Sequence, residues 1–234
     1  MTNGTAAGAP VAIVALDRPT MHDALAIVGQ LGDSCRFYKI GSELFTREGP
    51  RVVDAVRATG ADVFLDLKFH DIPNTVRESA RAAASLGVRL LTVHAGGGAA
   101  MVRAAVDGAG DACGVLAVTV LTSLDSASLG AAWGREAVVV EHEVLRLAGI
   151  AAAAGAHGVV CSGHEVAAVR ASFPELALLV PGIRLPGGDT HDQSRVATPA
   201  EVARAGARYL VLGRAVTAAP DMGAAMAAVV RALR

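Results

Sequence analysis

The chain has 234 residues, 53% of them hydrophobic and 18% charged, with a formal net charge of −1. That length suits one large domain or two small ones, and the apolar fraction supports a sizeable core and excludes a disordered chain. The charge balance gives no basis for a nucleic-acid or anionic-membrane partner, and no apolar run reaches transmembrane length.

From the N-terminus, "MTNGTAAGAP" lacks the basic start and apolar segment of a signal peptide. Cys35, Cys113 and Cys161 are odd in number and scattered. They read as reduced core thiols of a cytoplasmic protein, since no Cys or His pair has zinc-like spacing.

The run "VAIVALD" predicts a strand near 11–16 that ends in Asp17, followed by a helix over 20–31. "FYKIG" predicts a strand over 37–40 carrying Lys39, then a helix over 43–58. "ADVFLDLKFHDIPNT" predicts a strand over 62–67 that runs into Asp66, Lys68, His70 and Asp71. Pro73 suits the first turn of the helix expected over 73–86, so the loop 69–72 is short. Next come a strand over 90–94 ending in His94, a helix over 98–109, and a strand over 114–120 leading to Thr119 and Thr122. The "GGG" at 96–98 suits a flexible start to a helix better than a phosphate cradle. A helix over 135–154 and strands over 157–161, 177–180 and 208–212 follow, with helices over 198–205 and 221–233. The stretches 121–135 and 182–197 are expected to be irregular joints.

One pattern recurs in "ATGADVFLDL", "SLGVRLLTVHA", "AAGAHGVVCSG" and "RAGARYLVLGR". An Ala-rich, helix-like segment stops at a glycine, and a short apolar run follows. Glycine tolerates the left-handed backbone of a helix C-terminus, and the apolar run reads as a strand buried on both faces. Eight such strand–helix units, without a linker between them, predict an α/β chain folded as a single (β/α)8 TIM barrel over 1–234. No G-x-G-x-x-G follows the first strand, so a dinucleotide site has little support.

In such barrels the active site lies at the C-terminal ends of the strands. Asp17, Lys39, Asp66, Lys68, His94, Thr122, Arg184, Gly213 and Arg214 all fall at or just beyond those ends. Each has a plainer reading. Asp17 could cap a helix, Lys39 could be a solvated strand end, and His94 could be a hydrogen-bonded core histidine. Asp66 and Lys68 share a strand face and could form a simple ion pair, but a further carboxylate at Asp71 leaves two acids sharing the available cations. Barrels often grip a phosphate with the loops after strands 7 and 8. Arg184, then Gly213-Arg214, fit that design, because glycine exposes backbone N–H groups and arginine offers forked, charged donors. Between them "LPGGDTHDQ" reads as a lid.

The stretch "DLKFHDIPNT" resembles the signature of the orotidine 5′-phosphate decarboxylase family. The resemblance covers essentially the whole chain, through "VALD", "KIG", "VHA", "VTVLTS", "GVVCS", "PGIR", "DQ" and "LGR" in order. It implies decarboxylation of orotidine 5′-phosphate to UMP in pyrimidine biosynthesis without a cofactor. Lys39, Asp66, Lys68 and Asp71 would form the catalytic charged network, with Lys68 as proton donor. Asp17, Lys39 and Thr75 would hold the ribose and Thr122 would stand by the pyrimidine. Gln193, Gly213 and Arg214 would grip the phosphate with Arg184 beside them. It also implies a homodimer in which Asp71 and Thr75 complete the neighbour's site. The D-x-K-x-x-D core is shared by magnesium-dependent keto-sugar-phosphate decarboxylases and hexulose-phosphate synthases, which form the alternative enzyme class. A non-catalytic barrel that binds a phosphate ligand is a second alternative.

Overall fold

A computed structural model describes residues 9–185 and 197–233. Eight parallel strands close into a barrel in the order β1 to β8, with β8 paired back onto β1. The strands are β1 (Val11–Ala15), β2 (Phe37–Gly41), β3 (Asp62–Phe69), β4 (Leu90–His94), β5 (Gly114–Val118), β6 (Gly158–Val160), β7 (Ala177–Val180) and β8 (Tyr209–Leu212). The surrounding helices are α1 (Met21–Leu31), α2 (Ser42–Glu48), α3 (Arg51–Arg57), α4 (Pro73–Ser85), α5 (Gly98–Ala109) and α6 (Ser126–Trp133). They continue with α7 (Val140–Ala153), α8 (Val166–Ser172), α9 (Pro199–Arg204), α10 (Arg214–Thr217) and α11 (Met222–Ala232). The TIM barrel expected from the alternating pattern is therefore the architecture observed.

Alternation along each strand divides the core in two. Ile13, Ala15, Phe37, Phe64, Leu90, Leu116, Val118, Val160, Leu179, Tyr209 and Val211 fill the barrel interior. Their strand neighbours Val14, Leu16, Tyr38, Ile40, Val63, Leu65, Leu91, Leu210 and Leu212 pack outward beneath the helices. Each fully buried large side chain contributes about 1.5–3 kcal/mol relative to exposure. The same parity has a functional result. Continuing each inward row toward the strand C-termini places Lys39 above Phe37, Asp66 and Lys68 above Phe64, and Thr92 and His94 above Leu90.

Several helices differ from the sequence expectation. The helix expected over 43–58 is two, broken where Gly49 takes a positive φ of 65° and Pro50 follows. The joint 121–135 contains α6, capped by the Asp125 carboxylate, which accepts from the Ser128 N–H at 2.8 Å. Helix α7 starts at Val140 rather than 135, and α8 and α10 were not anticipated. All three cysteines are buried and unbridged.

Candidate active site

Strand β3 carries an irregularity that shapes the site. Leu65 pairs with Leu91 but Phe69 pairs with Val93, so four residues of β3 span two of β4. Within this bulge Lys68 has a positive φ of 52°, a conformation that costs an L-residue about 1–2 kcal/mol. Its N–H leaves the ladder and donates to the Thr92 hydroxyl oxygen at 2.9 Å. The Thr92 hydroxyl in turn donates to Asp66 Oδ1 at 2.9 Å. Strain held by a specific side chain beside a charged cluster is characteristic of a functional site.

The charged tips form a chain of alternating sign. Lys39 Nζ lies 2.8 Å from Asp17 Oδ1 and 3.7 Å from Asp66 Oδ2, and Lys68 Nζ lies 2.8 Å from Asp66 Oδ1. Lys39 and Asp66 have side chains only 11% and 13% exposed, whereas Lys68 is 38% exposed and faces the mouth. Burial pushes the Asp66 carboxyl upward, but the Lys39 and Lys68 ammoniums and the bonds from Lys68 and Thr92 outweigh it and hold the acid below its usual range. Gly41 leaves room beside the pair, since a Cβ there would lie 2.9 Å from Lys39 Nζ and 3.3 Å from Asp17 Oδ1 and would displace them.

Beside this chain, the His94 and His70 rings lie tilted with centroids 5.5 Å apart. His94 is held below the ordinary imidazole value by burial, then by His70 and Lys68, against a smaller opposing effect of Asp66. In the glycine run at 96–98, which leads into α5, only Gly97 is closely packed: a Cβ there would lie 2.7 Å from Met101 Cε and 3.2 Å from the His70 ring.

Three contiguous cavities open over the barrel mouth, and Lys39 lines each of them. One of about 230 Å³ is bounded by Lys39, Phe64, Asp66, Lys68, Thr122 and Val211, among others. A second of about 150 Å³ lies over Asp17, Gly41 and Lys68. The third, about 450 Å³, extends away from Lys68 and is lined by Asp17, Arg18, Arg184, Gly213, Arg214 and Thr217. A slightly larger cleft, about 470 Å³, lies outside the barrel between α1 and α3. Its only charged lining residues, Asp33 and Arg36, pair with each other, so it lacks the charge arrangement of the mouth.

Of the residues singled out from sequence, Asp17, Lys39, Asp66, Lys68, Thr122, Arg184, Gly213 and Arg214 therefore come together around the mouth. Asp71 and Thr75 are exposed. Asp71 Oδ1 accepts from the Ile72 N–H at 2.6 Å, and Asp71 makes no ion pair among the described residues. Ile72, beside it, is 66% exposed. Gln193 and most of the expected lid lie outside the described residues. Sequence reasoning missed Thr92, Gly41 and Arg18. Only Gly41 had a signal, as a glycine two residues after the charged Lys39. Among the described residues, no group of three or more His, Cys, Asp and Glu side chains could hold a metal ion.

Comparison with known proteins gives a consistent result. A family profile described as "Orotidine 5′-phosphate decarboxylase / HUMPS family" matches residues 10–229. A protein of Anaeromyxobacter sp. (strain K), named orotidine 5′-phosphate decarboxylase, is 54% identical over 223 residues, covering 94% of this chain and 96% of that one. A protein of the same name from Halorhodospira halophila is 48% identical over 95% of each chain. Among solved structures, orotidine 5′-phosphate decarboxylase from Lactobacillus acidophilus superposes with a TM-score of 0.85 at 37% identity, over 97% of this chain and all of that one.

Proposed function

The chain belongs to the orotidine 5′-phosphate decarboxylase / HUMPS family, and from that premise we propose that it is a carboxy-lyase converting orotidine 5′-phosphate to UMP in pyrimidine biosynthesis, without a cofactor. One observation carries the assignment of chemistry: Asp66, only 13% exposed, lies between two lysines at the barrel mouth, next to a cavity lined with arginines.

Loss of CO2 breaks the bond to C6 of the pyrimidine and leaves the electron pair on that carbon. A preorganised cation is the group that stabilises such charge most effectively. Lys68 is that cation. Its ammonium offsets the developing carbanion, then transfers a proton to form the C6–H bond, and the resulting amine recovers a proton from water at the partly open mouth. Asp66 orients Lys68 through the contact of 2.8 Å. Should Asp66 also crowd the substrate carboxylate, two like charges at about 4 Å and an effective dielectric near 20 would repel by roughly 4 kcal/mol. That equals about three orders of magnitude in rate, so the cation carries the larger share.

Asp17 and Lys39 hold the ribose hydroxyls, and Thr122 contacts the pyrimidine. Gly213, Arg214 and Arg184 grip the phosphate together with Gln193. Asp71 and Thr75 act across a homodimer, completing the neighbour's site. Their exposure, and that of Ile72, supports this reading. The protein acts in the cytoplasm as a single catalytic domain, with no nucleic-acid or membrane partner.

Following the loss of orotidine absorbance with the Lys68→Ala variant tests the assignment. Turnover is expected to vanish while the circular dichroism spectrum is retained, and parent activity is expected to survive a strong chelator. Near-normal kcat in a folded variant would remove Lys68 from the chemistry. Loss of parent activity on chelation would favour the magnesium-dependent class.

A further inference from the structure

The phosphate end of the mouth holds one basic residue to which no role has been given. Arg18 directly follows Asp17, and its N–H turns back onto the Leu16 carbonyl at 2.9 Å. That tight turn directs the side chain toward α10, where Nη2 donates to the Thr217 carbonyl at 3.0 Å. Arg18 lines the same cavity of about 450 Å³ as Arg184, Gly213 and Arg214. It makes no ion pair with any described carboxylate, and its one described hydrogen bond uses one of the five N–H donors of a guanidinium.

The charge of this cavity is lopsided. Among the described lining residues, Arg18, Lys39, Arg184 and Arg214 are basic and Asp17 is the one acid. Asp17 is already bonded to Lys39 at 2.8 Å. Arg18 thus stands with Arg184 and Arg214 at one cavity, and it pairs with no described carboxylate. A planar, forked cation in this setting suits a phosphate monoester, which approaches two negative charges at neutral pH and offers several acceptor oxygens.

We propose that Arg18 is a substrate-binding residue: a third arginine that, anchored on the Thr217 carbonyl, directs its remaining donors at the phosphate monoester of the nucleotide. The proposal rests on the functional reading above and adds a specificity determinant to it. Arg18 separates nucleotide from nucleoside and leaves the pyrimidine chemistry to Lys68. The competing possibility is a staple that only ties β1 to α10 through Thr217.

The test compares the parent with Arg18→Gln, which removes the charge and keeps a polar side chain, and with Arg18→Lys. Calorimetry with UMP, uridine and inorganic phosphate is read beside KM, kcat and the melting temperature. Loss of a charge-assisted contact predicts UMP binding and KM weakened about tenfold or more in Arg18→Gln, with uridine affinity unchanged and the smaller effect on kcat. The salt dependence of UMP binding should fall, and Arg18→Lys should recover part of the affinity. UMP and uridine weakened equally, or a lowered melting temperature with an unchanged UMP-to-uridine ratio, would reduce Arg18 to the staple and overturn the proposal. The two readings fail separately. A parent that binds UMP as tightly as its Arg18→Gln variant refutes the role of Arg18 alone. A parent that neither turns over orotidine 5′-phosphate nor binds UMP, yet binds inorganic phosphate through Arg18, refutes the functional reading and supports the anion site.

Discussion

Replacing Asp66 by Asn isolates the charge at the centre of the network, because the amide oxygen can still accept from the Thr92 hydroxyl at the position now occupied by Oδ1. At the observed separations of 2.8 Å from Lys68 and 3.7 Å from Lys39, an effective dielectric near 20 gives gross attractions of about 6 and about 4.5 kcal/mol. Desolvation of the carboxylate, whose side chain is 13% exposed, offsets most of this. Lys68 is over a third exposed, so water screens its share further. Lys39 keeps its bond to Asp17, whereas Lys68 loses its one described carboxylate partner. The net loss should fall near the lower end of the range for breaking a buried pair, about 3 kcal/mol. For a chain of this length that lowers the melting temperature by about 6–12 °C. Because the Asp66 carboxyl is held below its usual range, its contribution is complete above that range and is lost as pH falls through the lower folded value. The gap between parent and variant should therefore stay constant from about pH 5 to about pH 8. Thermal melts followed by circular dichroism across that interval, with kcat measured alongside, check both parts. A variant that melts within about 1 °C of the parent at neutral pH would refute the claim that Asp66 holds two lysines together.

Arg214→Ala should weaken UMP more than uridine in calorimetry, and equal losses would remove Arg214 from the phosphate grip. In the proposed homodimer, mixing inactive Lys68→Ala with inactive Asp71→Asn should restore some turnover, since hybrid dimers carry one intact site; mixtures as inactive as their components would refute shared sites. His94 and His157 are both held below the ordinary value of 6.5, in each case first by burial. Their contribution to stability is present above pH 6.5 and is lost as pH falls through their lower folded values. His157→Gln, which can still bond the Tyr209 hydroxyl that now lies 3.1 Å from Nε2, should make the acid-side decline in melting temperature shallower; an unchanged slope would exclude His157 as a contributor.

The strands were legible because buried parallel strands read as short β-branched runs, and the glycine before each of four of them marks where a helix stops. The polar tips were legible for the opposite reason: charge directly after such a run has few places to go except the barrel mouth. What escaped was local geometry. Nothing in "DLKFHD" announces a bulge in which Lys68 turns left-handed and Thr92 takes its N–H. That arrangement depends on how β3 and β4 meet, and these are two separate stretches of chain. Arg18 was hidden by its surroundings, since "DRPT" reads as a helix approach and its contact with Thr217 spans most of the sequence. The break at Gly49-Pro50 was written plainly, a left-handed stop followed by a ring that starts helices well, and a continuous helix over 43–58 overlooked it. Helix α8 is only seven residues long, too short for its periodicity to stand out.

The closing seam has a consequence for the order in which the molecule matures. Val11 to Val14 pair with Tyr209 to Leu212, so the first strand stays an open edge until the last is available. Lys39, Asp66 and Lys68 can gather as the early part of the chain condenses, but Asp17 and Arg18 meet Gly213 and Arg214 only after nearly every residue has left the ribosome. The cluster of Lys39, Asp66 and Lys68 can thus gather before the cavity lined by Arg18, Gly213 and Arg214 closes, and a chain released early would carry the one without the other. Joining distant segments is the slow step in folds of high contact order, which makes this seam the expected bottleneck in refolding.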